Sequence, residues 1–218
     1  SLQHLVWTFV LARFFFCYNL QYMKRIVLID GENLMYGMRH LLGSDGVLAE
    51  RAILSGFNFR GLLEEVLADS LPNEILWFGA RLKIYTQTEE IRVKSETAVH
   101  QQSYFVNDIQ RQRITFIKIG YLRAREVSLR DGSTEWKLVE KGVDVGLAVR
   151  IVSEANAETE IVVVSADTDL LPAFKAAKKA GARVIHIGYE YRPIAALSQA
   201  ADATRIITIP LAQKYVRP

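Results

Sequence analysis

"IVVVSADTDLLPAFKAAKKAGARVIHIG", residues 161–188, decides the fold. Its β-branched opening, 161–165, reads as a strand buried on both faces, because no polar residue alternates with the apolar ones. A helix over 170–180 follows, closed by Gly181 just past its C-terminus, and a second apolar run over 183–188 is another strand. Strand, helix and strand in this order form one right-handed crossover of a parallel sheet. Two acids, Asp167 and Asp169, stand where the first strand ends. Carboxylates brought together away from water repel, so the pair calls for a cation or for local capping work.

The same alternation continues outward in both directions. Upstream, "RIVLI" (25–29) is a strand ending at Asp30-Gly31, followed by helices over 34–42 and 57–71, the second with Asn58 as its N-cap. A strand lies within 74–87. Residues 89–112 are polar and free of Gly and Pro, with Ile91, Ala98, Phe105 and Ile109 spaced for one helix face. "ITFIKIGYLRAREV" and "STEWKLVEK" flank Asp131-Gly132 and predict a hairpin. A helix over 142–155 leads into the opening stretch. Beyond it, a helix over 193–201 and a strand over 205–209 are expected. Strands alternating with helices give a mostly parallel α/β sheet in one domain, 23–218. In such sheets ligands gather outside the carboxyl ends of the strands, where strand order reverses.

Half of the 218 residues are apolar and 23% are charged, with no internal repeat, which suits a single well-buried domain rather than a disordered chain. The net charge of +3 permits a nucleic-acid partner without demanding one. One cysteine, Cys17, excludes an internal disulfide framework. His4, His40, His100 and His186 show no metal spacing, and His186 reads as a satisfied strand residue.

Residues 1–22, "SLQHLVWTFVLARFFFCYNLQY", are aromatic-rich, interrupted by Arg13 and short for a membrane span. They are expected to be an extension outside the native domain, with Met23 as the natural start. That reading implies a cytoplasmic protein with no membrane partner.

The candidate site collects Asp30 and Asn33 from "DGEN", Asp144 from "EKGVDVGLAV", and Ser165, Asp167 and Asp169 from "SADTD". Oxygen ligands without Cys or a His cluster suit Mg²⁺ or Mn²⁺ rather than zinc. Taken singly, each acid has a plainer role: Asp167 or Asp169 as a helix cap, Asp144 as a first-turn acid. Two strand-end acids together with a third at an apolar helix start favour the metal site.

"IDGENL", "KGVDVGLAV" and "VVVSADTDLLPAFKAAKKAGARV", in that order, resemble the LabA-like branch of the NYN-domain proteins, which are similar to PIN-fold ribonucleases. The likeness runs from Ile26 to Ile209, and "LSQAADATRIITI" resembles the family's last helix and strand. It implies a three-layer α/β/α domain with a small hairpin insertion. It also implies that Asp30, Asp144, Asp167 and Asp169 are the catalytic, metal-binding acids, with Asn33 and Ser165 orienting ligands or waters behind them. Arg150 stands where the family pattern often has an acid, six residues from Asp144 and on another helix face.

Between 111 and 141 stand eight basic residues against four acidic ones, a larger excess than that of the whole chain, with Tyr121 and Trp136 interleaved. A basic hairpin with aromatics can hold phosphates and stack bases, although alternating charge also marks any solvated hairpin face. Lys141, Arg123 and Arg125 are the expected RNA contacts. The sequence therefore predicts a Mg²⁺- or Mn²⁺-dependent endoribonuclease acting on RNA, with a homodimer allowed. The competing reading is a non-catalytic RNA- or protein-binding regulatory module that keeps the metal site. A haloacid-dehalogenase-type phosphatase wants a second Asp two residues after Asp30 and finds Glu32; a Toprim-type site wants Glu in place of Asp30.

Overall fold

The computed structural model describes residues 23–43, 56–68, 71–130 and 132–216. The extension 1–22, with His4 and Cys17, lies outside them, as do Asp131 of the hairpin turn and residues 69–70 of the expected second helix. The chain runs β1 (Lys24–Asp30), α1 (Gly31–Leu42), α2 (Phe59–Leu67), β2 (Glu74–Arg81), α3 (Glu89–Arg111), β3 (Thr115–Ser128), β4 (Thr134–Lys141) and α4 (Val143–Glu154). It continues through β5 (Thr159–Val164), a 3₁₀ turn (Thr168–Leu170), α5 (Leu171–Lys179), β6 (Arg183–Tyr189), α6 (Ala195–Ala200), β7 (Ala203–Ile207) and α7 (Ile209–Lys214).

The seven strands form one sheet in the order β4-β3-β2-β1-β5-β6-β7. Every pairing is parallel except β3 with β4, the expected hairpin, which registers from Tyr121 opposite Lys141 to Ser128 opposite Thr134. The architecture is thus an α/β fold with a mostly parallel sheet and a hairpin edge. Chain order runs outward from β1 through β2 and β3, then returns to β5 on the other side of β1. The switch point lies between β1 and β5.

Side-chain alternation splits the core into two layers. Val27 and Ile29 of β1 and Val162 and Val164 of β5 face α1 and α2, where Leu34, Met38, Phe59 and Leu63 cover them. Ile26, Leu28, Ile161 and Val163 face α4 and α5, meeting Leu147, Ile151 and Phe174. β5 is buried along its whole length, which explains its unbroken apolar run.

The helix boundaries follow local chemistry. Asp30, Asn58 and Thr88 cap α1, α2 and α3 through side-chain oxygens. Gly181 takes a positive φ of 94° after α5, the left-handed position expected of it. The chain departs from expectation at its end. β7 stops at Ile207, and residues 209–214 form a helix capped by Thr208 with Pro210 in its first turn.

Candidate active site

Asp30 ends β1 and is almost wholly buried, at 4% exposure. Its Oδ1 accepts the Asn33 backbone N–H at 3.2 Å, capping α1, while its Oδ2 accepts the Ser165 hydroxyl at 2.9 Å. Ser165, fully buried after β5, in turn accepts the Asp167 backbone N–H at 3.0 Å. Asn33 closes the loop from the other side, its Oδ1 accepting the Ala166 N–H at 2.9 Å. Asp30, Asn33, Ser165 and Asp167 therefore form one hydrogen-bonded chain across the β1/β5 switch point. Both carboxylate oxygens of Asp30 and the Ser165 hydroxyl thus have partners, as burial requires.

Asp167 also caps the 3₁₀ turn, accepting the Asp169 N–H at 2.9 Å. The capping role foreseen for this pair is thus real, and it is filled by Asp167. Asp169 is exposed in the first turn.

Asp144 arrives by a different route. Gly120 and Gly142 have φ of 64° and 87°, and they let the end of the hairpin cross close under β3. A Cβ on Gly120 would lie 2.9 Å from the Val143 backbone nitrogen and nearer still to the Lys141 carbonyl oxygen. This close approach turns the chain from β4 straight into α4 and sets Asp144 in the helix's first turn. Asp144 is joined to the other acids through their fields rather than by a hydrogen bond. Burial raises its carboxyl, and Asp167 and Asp169 raise it further.

Burial is also the main cause that pushes Asp30 up to about 6. The Asn33 and Ser165 hydrogen bonds pull it down, and Asp144 and Asp167 add to the rise. Glu140, half-buried at the end of β4, is pushed up to about 7 by burial and by the charges of Glu32, Asp144 and Asp30. Glu140 belongs to this electrostatic cluster, and sequence reasoning missed it. Its only signal was its place in "VEKGVDV", where a charge in an alternating hairpin looks like solvent-facing decoration.

Among the described residues, no three His, Cys, Asp or Glu side chains are gathered tightly enough to hold a metal ion as they stand. The chemistry of the donor set nevertheless fits a hard divalent cation. It offers only oxygen atoms, and its carboxylates raise one another in the way a cation would relieve.

His186, buried on β6, bonds through Nε2 to the Ser165 carbonyl oxygen at 2.8 Å, and burial lowers its pKa. It supports the loop that carries Ser165. Arg150 pairs with Glu154 at 2.6 Å along its own helix and does not enter the acid cluster. Glu32 is exposed in the first turn of α1 and faces Glu140 across the site rim.

Lys141, Arg123 and Arg125 are all exposed on the hairpin. The Arg123 guanidinium lies 5.1 Å from the centre of the exposed Tyr121 ring, a cation–π pair in which the ring keeps a face for stacking. Lys141 sits one residue before the Gly142 turn that leads to Asp144. No helix among the described residues is long and apolar enough to cross a membrane.

The NYN domain family model matches residues 24–209. A solved structure of a protein of unknown function from Vibrio parahaemolyticus superposes with a TM-score of 0.52 at 16% identity, over 85% of this chain and 94% of that one. At that identity the likeness shows the shared fold alone. No curated protein matches the sequence.

Proposed function

The chain belongs to the NYN-domain family, and on that premise we propose that it is a divalent-metal-dependent endoribonuclease that hydrolyses phosphodiester bonds of cytoplasmic RNA, of the LabA-like branch. The observation that carries this reading is the hydrogen-bonded chain from Asp30 through Ser165 to Asp167 at the sheet's switch point, with Asp144 in electrostatic reach. Asp30, Asp144, Asp167 and Asp169 would hold Mg²⁺ or Mn²⁺. When bound, the ion supplies charge neutralisation at the phosphodiester and makes water a better nucleophile at neutral pH.

The chain's own residues do the remaining work. Ser165 fixes the orientation of the Asp30 carboxylate and of the loop that carries Asp167. Asn33 ties the start of α1 to that loop, so the two strand ends cannot drift apart. Lys141, Arg123 and Arg125 hold backbone phosphates, and Tyr121 offers a face to an unpaired base. The separation of the carboxylates keeps a second reading alive, a regulatory module that binds RNA without cutting it.

Asp167→Asn separates the two. The amide keeps an oxygen for the Asp169 N–H and so keeps the turn, but it removes the charge a cation needs. Wild-type protein should cut RNA with Mg²⁺ or Mn²⁺ and stop in chelator. The variant should bind RNA and fail to cut it. RNA bound but uncut by the wild type in every metal tested would favour the regulatory module. Cleavage unaffected by both chelator and the substitution would place the chemistry elsewhere.

A further inference from the structure

Beside the acids, between α1, α3 and β2, lies a cavity of about 270 Å³ that the proposed chemistry does not use. Its volume falls just below the ~300–1,000 Å³ typical of drug-sized ligands, so it suits one planar ring system rather than a dinucleotide cofactor. Trp77, Phe105, Phe116 and Leu122 form its apolar walls. Glu32 and Glu140 line the side that adjoins the acid cluster, since the charge on Asp30 acts directly on Glu140. The cavity and the candidate active site therefore share a rim.

The polar groups of the cavity are few and particular. Gln102 donates its Nε2 to the Ala80 carbonyl oxygen at 3.0 Å. A carbonyl accepts only from the amide nitrogen, so this bond fixes which way the side chain points and leaves Oε1 as its acceptor, beside the second Nε2 N–H. Gln101 lines the mouth beside it, and Arg39 adds a guanidinium of the kind that stacks on a base face. Aromatic walls with acceptor oxygens from Gln102, Glu32 and Glu140 complement a flat, apolar-faced ring with amino hydrogens on its edge.

We propose that this cavity is a nucleobase subsite, which receives one base of the bound RNA and favours bases with an exocyclic amino group over uracil. The proposal rests on the nuclease reading for its RNA strand, because a base seated here belongs to a nucleotide next to the phosphate at the acids. Adenine and cytosine present amino donors that glutamine and glutamate oxygens accept, and guanine carries one too. Uracil presents two carbonyl oxygens and a single N3–H on its edge, so it offers these acceptors one donor where an amino group offers two, and it sets carbonyl oxygens against the rest. The aromatic walls stack any base, so the edge contacts supply the discrimination.

The test uses the full chain and two variants. Ala98 is half-exposed on α3 and lines the cavity, so Ala98→Phe fills the space from the helix surface. Gln102→Leu keeps the size and removes the acceptor. Binding of free adenosine, cytidine, guanosine and uridine is measured by NMR titration. Cleavage of oligonucleotides that differ at one base beside the cut bond is measured in single turnover. The wild type should bind the amino-bearing nucleosides at least ~10-fold tighter than uridine. Gln102→Leu should erase that difference, and Ala98→Phe should weaken all four nucleosides and abolish the base preference of cleavage. If Ala98→Phe does not fold, Gln102→Leu alone carries the test. Cleavage by the wild type with no base preference, and nucleoside binding unchanged in both variants, would overturn the subsite and leave the nuclease reading standing. Selective nucleoside binding lost in the variants, with no cleavage by the wild type, would uphold base recognition and overturn the nuclease instead.

Discussion

Asp30→Asn should make the metal-free protein more stable above neutral pH. Asp30 sits at about 6 in the folded protein against an ordinary 3.8, chiefly because burial disfavours its charged form. Between those two values the folded chain holds a proton that the unfolded chain has released. Stability therefore falls as pH rises through this window, by ~1.4 kcal/mol per pH unit for one proton. The full gap amounts to ~3 kcal/mol, present as a penalty above pH 6 and absent below pH 4. The asparagine variant carries no such charge. Its oxygen can still accept from the Asn33 N–H, and its amide can face the Ser165 hydroxyl. Allowing for imperfect replacement of these bonds, it should exceed the wild type by ~1–3 kcal/mol at pH 7.5 and match it near pH 4. Urea unfolding in chelator across this pH range measures the difference. Glu140, pushed up to about 7 partly by the Asp30 charge, adds a decline of the same sign that is smaller in the variant, so it widens the difference in the same direction. A wild-type-to-variant difference that stays constant with pH would refute the burial argument, as would a variant less stable than the wild type at pH 7.5.

Gly120→Val should cost at least ~2 kcal/mol, because it combines a positive φ of 64° with a collision against the backbone at Lys141 and Val143; thermal melting measures this, and a neutral result would mean that the hairpin exit is not fixed there. Tyr189 is fully buried and its hydroxyl meets no partner among the described residues, so Tyr189→Phe should be neutral or stabilise by up to ~1–2 kcal/mol; a loss beyond ~1 kcal/mol would reveal a hydrogen bond. If the basic hairpin holds phosphates, RNA binding should weaken as salt rises, and Arg123→Ala should reduce the slope of log K against log salt by ~1; an unchanged slope would remove Arg123 from the interface.

The sheet was legible because its central strands are buried on both faces, which leaves β-branched runs with no polar interruption until the chain emerges. Asp30, Ser165 and Asp167 were legible for the same reason: they are the first polar residues after "IVLI" and "IVVV". The final helix was not foreseen, because the sequence places a strand over 205–209, although Thr208 and Pro210 carry the helix's capping signal. The apolar run "RIITI" outweighed that signal. Glu140 and Gln102 were not legible at all. Their environment is made by elements far apart in the chain, β2 and α1 for Gln102, and α1 and α4 for Glu140. The face predicted on α3 shows the same limit. Ile91 and Ile109 are buried at its two ends and Phe105 packs on Phe59 and Trp77 at the core's margin, but Ala98 is half-exposed at the cavity.

The acids at the switch point carry two duties that cannot be judged separately by removing whole side chains. Asp30 caps α1 and Asp167 caps the 3₁₀ turn, so alanine at either position would remove a cap, worth ~1 kcal/mol, along with any ligand. Loss of activity in such a variant would say little about chemistry. Asp144 differs, because among the described residues its carboxylate holds no cap and no hydrogen bond: it stands exposed in the first turn of α4, favoured by the helix dipole and opposed by Asp167 and Asp169. The dipole's gain, ~0.3–1 kcal/mol, and the repulsion from the neighbouring acids oppose each other, so the side chain's structural contribution is small. Asp144→Ala should therefore leave the melting temperature nearly unchanged. If it also abolishes metal-dependent cleavage, the cause is catalytic, because no cap has been removed.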